Sequence, residues 1–165
     1  MKALRLFLLF FFATGVIYPL LITLFAFVFF NESSSGSFLY KEDKTIGAKL
    51  IGQKFESAKY FHSRPSASKY SALPSSGSNF GPTSQSLKAI VDKADKSEPH
   101  DLIFQSGSGL DPHITIDSAL YQVKRIASER NVSEKILVEQ IQSLSEYGSY
   151  VNVLLLNLSL DGYAR

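Results

Sequence analysis

The sequence predicts an α+β protein with one N-terminal transmembrane helix followed by a small extracytoplasmic α+β domain. Three observations predict it. Leu6–Phe30 runs for twenty-five residues without a charge. The remainder alternates between short strand-like stretches and helices with clear caps. The chain contains no cysteine, so the exported part must hold itself together by packing or by docking on a partner, not by disulfides.

At about 1.5 Å per residue, a helix over Leu6–Phe30 spans roughly 37 Å, enough to cross a hydrocarbon core of about 30 Å with some tilt. A cleaved signal peptide is the competing reading, but its apolar region is about 7–15 residues and ends in small residues. This run is longer and closes on Phe27-Val28-Phe29-Phe30. Lys2 and Arg5 precede it, so the positive-inside rule puts residues 1–5 in the cytoplasm and the rest outside. Tyr18-Pro19 falls mid-membrane, where proline frees a carbonyl and is expected to kink the helix. Gly15 and Thr14, one turn earlier, leave room for a neighbouring helix.

Residues 31–37 read as a flexible Ser/Gly linker, and 38–165 as the extracytoplasmic domain. Lys2 and Arg5 supply the whole net charge of +2, and residues 31–165 hold fifteen basic and fifteen acidic residues. A basic face for nucleic acid is therefore not expected. Ser37–Tyr40 and Thr45–Gly52 suggest two strands of a hairpin around Lys41-Glu42-Asp43-Lys44, with Ile46, Ala48 and Leu50 on one face. Residues 53–82 mix aromatics with Ser, Gly and Pro and keep no period. Such a stretch is either a surface loop pinned by Phe55, Tyr60, Phe61 and Phe80 or a contact surface. Thr83–Lys96 suggests a short helix, and Asp101–Phe104 a short strand. A helix from Ile116 to Arg130 is capped by Thr115, with Leu120, Val123 and Ala127 inward and Ile116 and Ile126 flanking; Asn131 stops it. Ser133 caps Glu134–Leu144, with Ile136, Leu137, Ile141 and Leu144 inward. Val151–Leu160 fits a helix capped by Asn152, although Val151, Val153 and Leu155 also alternate like a strand.

The chemistry-bearing stretch is Ser106–His113. A glycine-rich loop before a helix N-terminus can cradle phosphate through free N–H groups, which makes Ser106, Gly107, Ser108 and Gly109 candidate nucleotide-loop residues. The loop lacks the Gly-Lys-Ser/Thr ending of a P-loop and has no Gly-x-Ser-x-Gly around Ser108. Asp111 and His113 could orient a serine or ligate a metal, or simply bind backbone around Pro112, and neither His62 nor His100 can be placed beside them by spacing. No catalytic residues and no metal ligands stand out, and a non-enzymatic anchored domain is the reading favoured by the residues alone.

Blocks along the whole chain carry a family resemblance. They are Thr14-Gly15, Tyr18-Pro19-Leu20, Leu50-Ile51-Gly52-Gln53-x-Phe55, Tyr60-Phe61-His62-x-Arg64-Pro65-Ser66-Ala67 and Ser76-Gly77-Ser78-Asn79-x-Gly81-Pro82. Ser106–Ile114, Gln122-Val123 with Arg125-x-Ala127, and Val151-Asn152-Val153-Leu154-x-Leu156-Asn157 complete them. The sequence resembles the C subunit (KdpC) of the bacterial Kdp potassium-transporting ATPase. Ser78 departs from the family's second glycine, the segment around Thr83–Pro99 is short, and 145–150 lacks the usual lead into Val151. The resemblance implies a non-catalytic, single-pass subunit of the bacterial inner membrane, in a complex with a channel-like potassium-importing subunit, a P-type ATPase subunit and a small one-span subunit. It implies an assembly role and a catalytic-chaperone effect on ATP binding by the hydrolysing subunit, with ATP reaching this chain, if at all, through the complex. Contacts with partners are expected at Gly15, Tyr18, Pro19, Tyr60, Phe61, Arg64, Asn79, Asp111 and His113.

Overall fold

The computed structural model describes residues 2–162, divided into two compact units, Met1–Ala48 and Lys49–Arg165. The first unit begins with one apolar helix, Lys2–Phe29, long enough to span a membrane. It consists of α1 (Lys2–Phe12), a π-helical turn (Ala13–Ile17) and α2 (Tyr18–Phe29). In that turn the Tyr18 N–H donates to the Ala13 carbonyl, five residues back. Pro19, which follows at once, has no N–H for the next rung, so the helix takes up an extra residue where its ladder breaks. Thr14 Oγ donates to the Phe10 carbonyl at 2.7 Å.

The expected flexible linker instead holds a helical turn, α3 (Asn31–Ser34). β1 (Phe38–Lys41) and β2 (Lys44–Ala48) pair antiparallel around Glu42 and Asp43, with a register shift between Leu39 and Tyr40. Both turn residues have positive φ, as a two-residue hairpin loop requires. The second strand stops at Ala48, so Leu50, assigned to its inner face from sequence, lies beyond it and is exposed.

In the second unit, residues 49–84 run without a helix or strand; this fits the aperiodic 53–82, while the strand expected to reach Gly52 ends at Ala48 and the helix expected from Thr83 begins at Gln85. α4 (Gln85–Lys93) is capped by Ser84, whose hydroxyl accepts the Leu87 N–H. The expected strand over Asp101–Phe104 is instead a single helical turn, α5 (His100–Ile103), entered through Pro99. Four residues are too few for periodicity to tell the two apart, and the proline fixes the φ of a helix entry. β3 (His113–Thr115) leads into α6 (Ile116–Arg130), then come α7 (Glu134–Leu144), β4 (Ser145–Glu146), β5 (Tyr150–Asn152) and α8 (Val153–Leu160). The sheet is antiparallel with β5 central, Ile114 opposite Val151 and Glu146 opposite Tyr150.

The caps follow the sequence. Thr115 Oγ accepts the Ser118 N–H, Ser133 Oγ accepts the Lys135 N–H, and Asn131 takes a left-handed conformation at the end of α6. The segment 151–160 resolves into both alternatives: a strand through Asn152, then a helix capped by that same residue, whose Oδ1 accepts the Leu155 N–H.

Ile126, Leu137, Ile141, Val151, Val153 and Leu156 form the centre of the core, with Phe55 and Leu144 packed against it. Two inward assignments fail. Leu120 is 39% exposed and Ile136 is 51% exposed. The buried stripe of α6 runs instead through Ala119, Gln122, Val123, Ile126 and Ala127, a rotation that makes room for a polar residue in the interior.

Candidate functional site

Two buried amides organise the irregular segment that follows Gly52. Asn157 sits in the otherwise apolar α8, and its Oδ1 accepts the Phe61 N–H at 2.8 Å while its Nδ2 donates to the Phe61 carbonyl at 2.9 Å. Gln122 does the same for the next residue: its Oε1 accepts the His62 N–H at 2.8 Å and its Nε2 donates to the His62 carbonyl at 3.2 Å. Each amide supplies the donor and acceptor that a neighbouring strand would offer, so an extended backbone is held in the interior without a sheet. Arg125 adds donors to the carbonyls of Ala58 and Tyr60. Arg130 lies over the Tyr60 ring, 4.8 Å from its centre, and binds Lys59 O and Asp161.

This clamp places Phe61 fully in the core. Its expectation as a partner contact is corrected: no face of the ring is left for another chain. Tyr60 is half-buried, with its hydroxyl donating to Asp161 at 2.9 Å, and that bond holds the phenol above the usual tyrosine range.

Beyond the clamp, the chain reaches a place where three distant glycines meet backbone. The Gly52 N–H donates to the Leu110 carbonyl at 2.8 Å, and a Cβ on Gly52 would stand 2.6 Å from the Asp111 carbonyl oxygen. A Cβ on Gly77 would lie 3.0 Å from the Gly107 oxygen, and one on Gly109, whose φ is +73°, would lie 2.6 Å from the Ser76 oxygen. Segments 51–53, 75–78 and 106–111 are thus stacked main chain to main chain, which only glycine allows. Ser75 Oγ also donates to the Ser108 carbonyl.

The Ser106–Gly109 loop is partly bonded from within. The Ser106 N–H goes to the Pro65 carbonyl, the Gly109 N–H to the Ser106 carbonyl and the Leu110 N–H to Ser108 Oγ. It leads into β3 and not directly into a helix N-terminus, which corrects the geometry on which the phosphate-cradle expectation rested.

Beside the loop runs a chain in which basic and acidic side chains alternate. Lys49 Nζ lies 3.7 Å from Glu146, whose other oxygen is 3.6 Å from His113 Nε2; His113 Nδ1 is 3.9 Å from Asp111 Oδ1. Asp111 Oδ2 accepts from Arg64 at 3.4 Å, and Arg64 Nε lies 3.9 Å from Asp101. The Arg64, Asp111 and His113 singled out by sequence come together here. Asp101, Glu146 and Lys49 complete the chain and carried no sequence signal of their own. Two of the three carboxylates are anchored by backbone: Asp111 Oδ1 accepts the His113 N–H, and Asp101 Oδ2 accepts the Thr115 N–H. All six side chains remain partly accessible. The cluster presents basic and acidic side chains side by side on a partly accessible surface. Asn79 is exposed with φ +54°. In the first unit, Tyr18 is exposed and the flank of Gly15 is open.

A helix long enough to span a membrane and a small α+β domain whose loops carry ion pairs are the features that the comparisons must account for. The chain belongs to the KdpC family: the family model described as "K+-transporting ATPase, c chain" matches residues 1–162. The potassium-transporting ATPase KdpC subunit of Dechloromonas aromatica is 41% identical, over 99% of this chain and 96% of that protein. KdpC subunit 2 of Staphylococcus aureus is 42% identical over 97% and 96%, and the Mycobacterium tuberculosis subunit 38% identical over 98% and 96%.

Proposed function

We propose that this chain is a non-catalytic accessory subunit of an ATP-driven potassium uptake complex in the bacterial cytoplasmic membrane, where it assembles and stabilises the pump. Its N-terminus lies inside and its domain outside, following Lys2 and Arg5. The observation that carries the reading is the meeting of segments 51–53, 75–78 and 106–111 beside the charge chain. Glycines from three distant places, packed where a side chain would collide, bring these segments together into one polar, partly exposed surface. That surface, through Arg64, Asn79, Asp111 and His113, docks on the outer face of the channel-like importing subunit. The Gly15, Tyr18 and Pro19 region of the anchor packs in the membrane beside it. The P-type ATPase subunit and the small one-span subunit complete the assembly.

The effect on ATP affinity is then an allosteric coupling passed through the complex. The internal bonding of the Ser106–Gly109 loop supports this over direct ligation of nucleotide by that loop. Coexpression with the three partners, with and without this chain, tests it. The expected result without the chain is loss of a stable complex and of potassium-stimulated ATPase activity. A complex that stays intact and loses only ATP affinity would overturn the assembly role.

A further inference from the structure

Within the first unit, the apolar helix is tied to the β1–β2 hairpin without slack. After α3 the Gly36 N–H donates to the Ser33 carbonyl at 3.3 Å and the Ser37 N–H to the Glu32 carbonyl at 3.0 Å, with Gly36 at φ +99°. These two bonds form a Schellman ending. The second of them brings Ser37 back beside Glu32, which follows Phe30 by two residues and so lies within roughly 7 Å of it. However α3 is tilted, β1 starts within roughly 10 Å of the last apolar residue. The headgroup layer on each side of a bilayer is roughly 5–8 Å deep, the difference between a core of about 30 Å and a whole of about 40–45 Å. With Lys2–Phe29 across the membrane, β1 therefore begins at headgroup level.

There the hairpin presents two aromatic side chains. The rings of Phe38 and Tyr40 meet edge to face with centroids 6.5 Å apart, and the residues stay 46% and 65% exposed, whereas Leu39 and Ile46 are half-buried. The Phe38 ring lies over Gly36, where a Cβ would stand 3.1 Å from it, so its place is set by the Schellman turn. Thr45, opposite Tyr40 in the register and thus on its face, is also exposed. Aromatic rings concentrate where membrane meets water. The tip, Lys41-Glu42-Asp43-Lys44, sums to zero charge, so it neither seeks nor avoids anionic lipid, and its carboxylates belong in water. The hairpin is suited to lie on its aromatic face and not to enter tip first.

We propose that the Phe38–Tyr40 face rests in the phospholipid headgroup layer, a second lipid contact beside the anchor itself. The inference rests on Lys2–Phe29 crossing the membrane and does not require the charge chain to dock on an importing subunit.

The chain has no cysteine, so single thiols can be introduced and labelled with a nitroxide. The full chain carries the label at Thr45→Cys, which leaves both rings in place, at Asp43→Cys on the tip, or at Val28→Cys in α2, and is reconstituted in phosphatidylcholine vesicles. Collisions with oxygen, which concentrates in lipid, are compared by EPR with collisions with a water-soluble nickel chelate. The oxygen-to-nickel ratio at Thr45→Cys should be at least threefold that at Asp43→Cys, and unchanged when a fifth of the lipid is phosphatidylglycerol. Added Tyr40→Ser should at least halve the ratio, and Tyr40→Phe should keep it. Equal ratios at the two hairpin sites, with Val28→Cys in lipid, would overturn the proposal alone. A Val28→Cys label open to nickel would overturn the membrane-spanning reading as well. In the assembled complex, a retained ratio at Thr45→Cys supports lipid as the occupant; shielding from both reagents would mean a protein sits there and would overturn it.

Discussion

Two irregular stretches cross the second unit and are fixed by opposite means. Tyr60–Ser63 is held by side chains: the amides of Asn157 and Gln122 stand in for missing strands. Ser106–Asp111 is held by main chain against main chain, at positions where a side chain would collide. The first device places an aromatic residue in the core; the second brings distant segments to the surface. Amide clamping grips only the backbone of the clamped residue, so its own demand is on the amide, whereas glycine stacking tolerates no side chain at the stacked position. The two regions should therefore fail under different substitutions.

The clamp is expected to give the largest effect. Asn157→Leu keeps the volume and strips both partners from Phe61, orphaning a buried N–H and a buried carbonyl at roughly 1–3 kcal/mol each. A loss of roughly 2–6 kcal/mol is expected, read as the shift in denaturant midpoint of the full chain in detergent. Phe61→Leu, by contrast, should lower stability without altering the clamp. If it weakened partner copurification at unchanged stability, the placement of Phe61 in the core would be wrong.

Gly109→Ala comes next. The new methyl meets the Ser76 carbonyl, and the residue must keep a φ of +73°. Overpacking of about 1–3 kcal/mol and left-handed strain of about 1–2 kcal/mol set the scale. Gly81→Ala, with open space around it, is the contrasting substitution and should change thermal stability little. Equal effects at the two positions would mean that the stacking is looser than described.

Much of this frame was legible in the sequence, and the limits are physical. Thr115, Ser133, Asn152 and Asn131 marked helix ends correctly because capping is local chemistry, settled within three or four residues. Leu120 and Ile136 were misplaced because a helix with apolar residues on several sides does not say which way it is rotated. That choice is made by Gln122, whose amide serves a segment sixty residues away. Asn157 offered the one visible hint, a polar residue inside Val153–Leu160. Arg64, Asp111 and His113 were legible as motif members. Glu146 and Lys49 became part of the cluster only through the pairing of β4 with β5 and the bond from Asn152 to the Lys49 carbonyl.

At the charge chain, a smaller effect on stability is expected. Asp111→Asn can still accept the His113 N–H, but it removes the negative charge facing Arg64 and His113. Partly exposed pairs contribute about 0–1 kcal/mol, so the melting temperature should barely move. If this surface docks on the importing subunit, copurification should nonetheless fall. A large stability loss with normal assembly would make the cluster a fold element, on the same footing as the glycine stack.

The smallest effect separates main chain from side chain within the clamp itself. Gln122 holds the backbone of His62, which leaves the imidazole free to be replaced. Burial lowers the affinity of that ring for a proton, so below about pH 6.5 the unfolded chain takes up a proton that the folded chain resists. The unfolded state then binds more protons, stability rises with pH through that window, and it is lost as pH falls from about 6.5 toward the folded value. His62→Gln removes this contribution and keeps the backbone bonds, so its stability should depend less steeply on pH between about 5 and 7. Every other titrating group is common to both proteins, and the difference between the two slopes isolates the ring. Identical slopes would mean that His62 protonates as readily folded as unfolded.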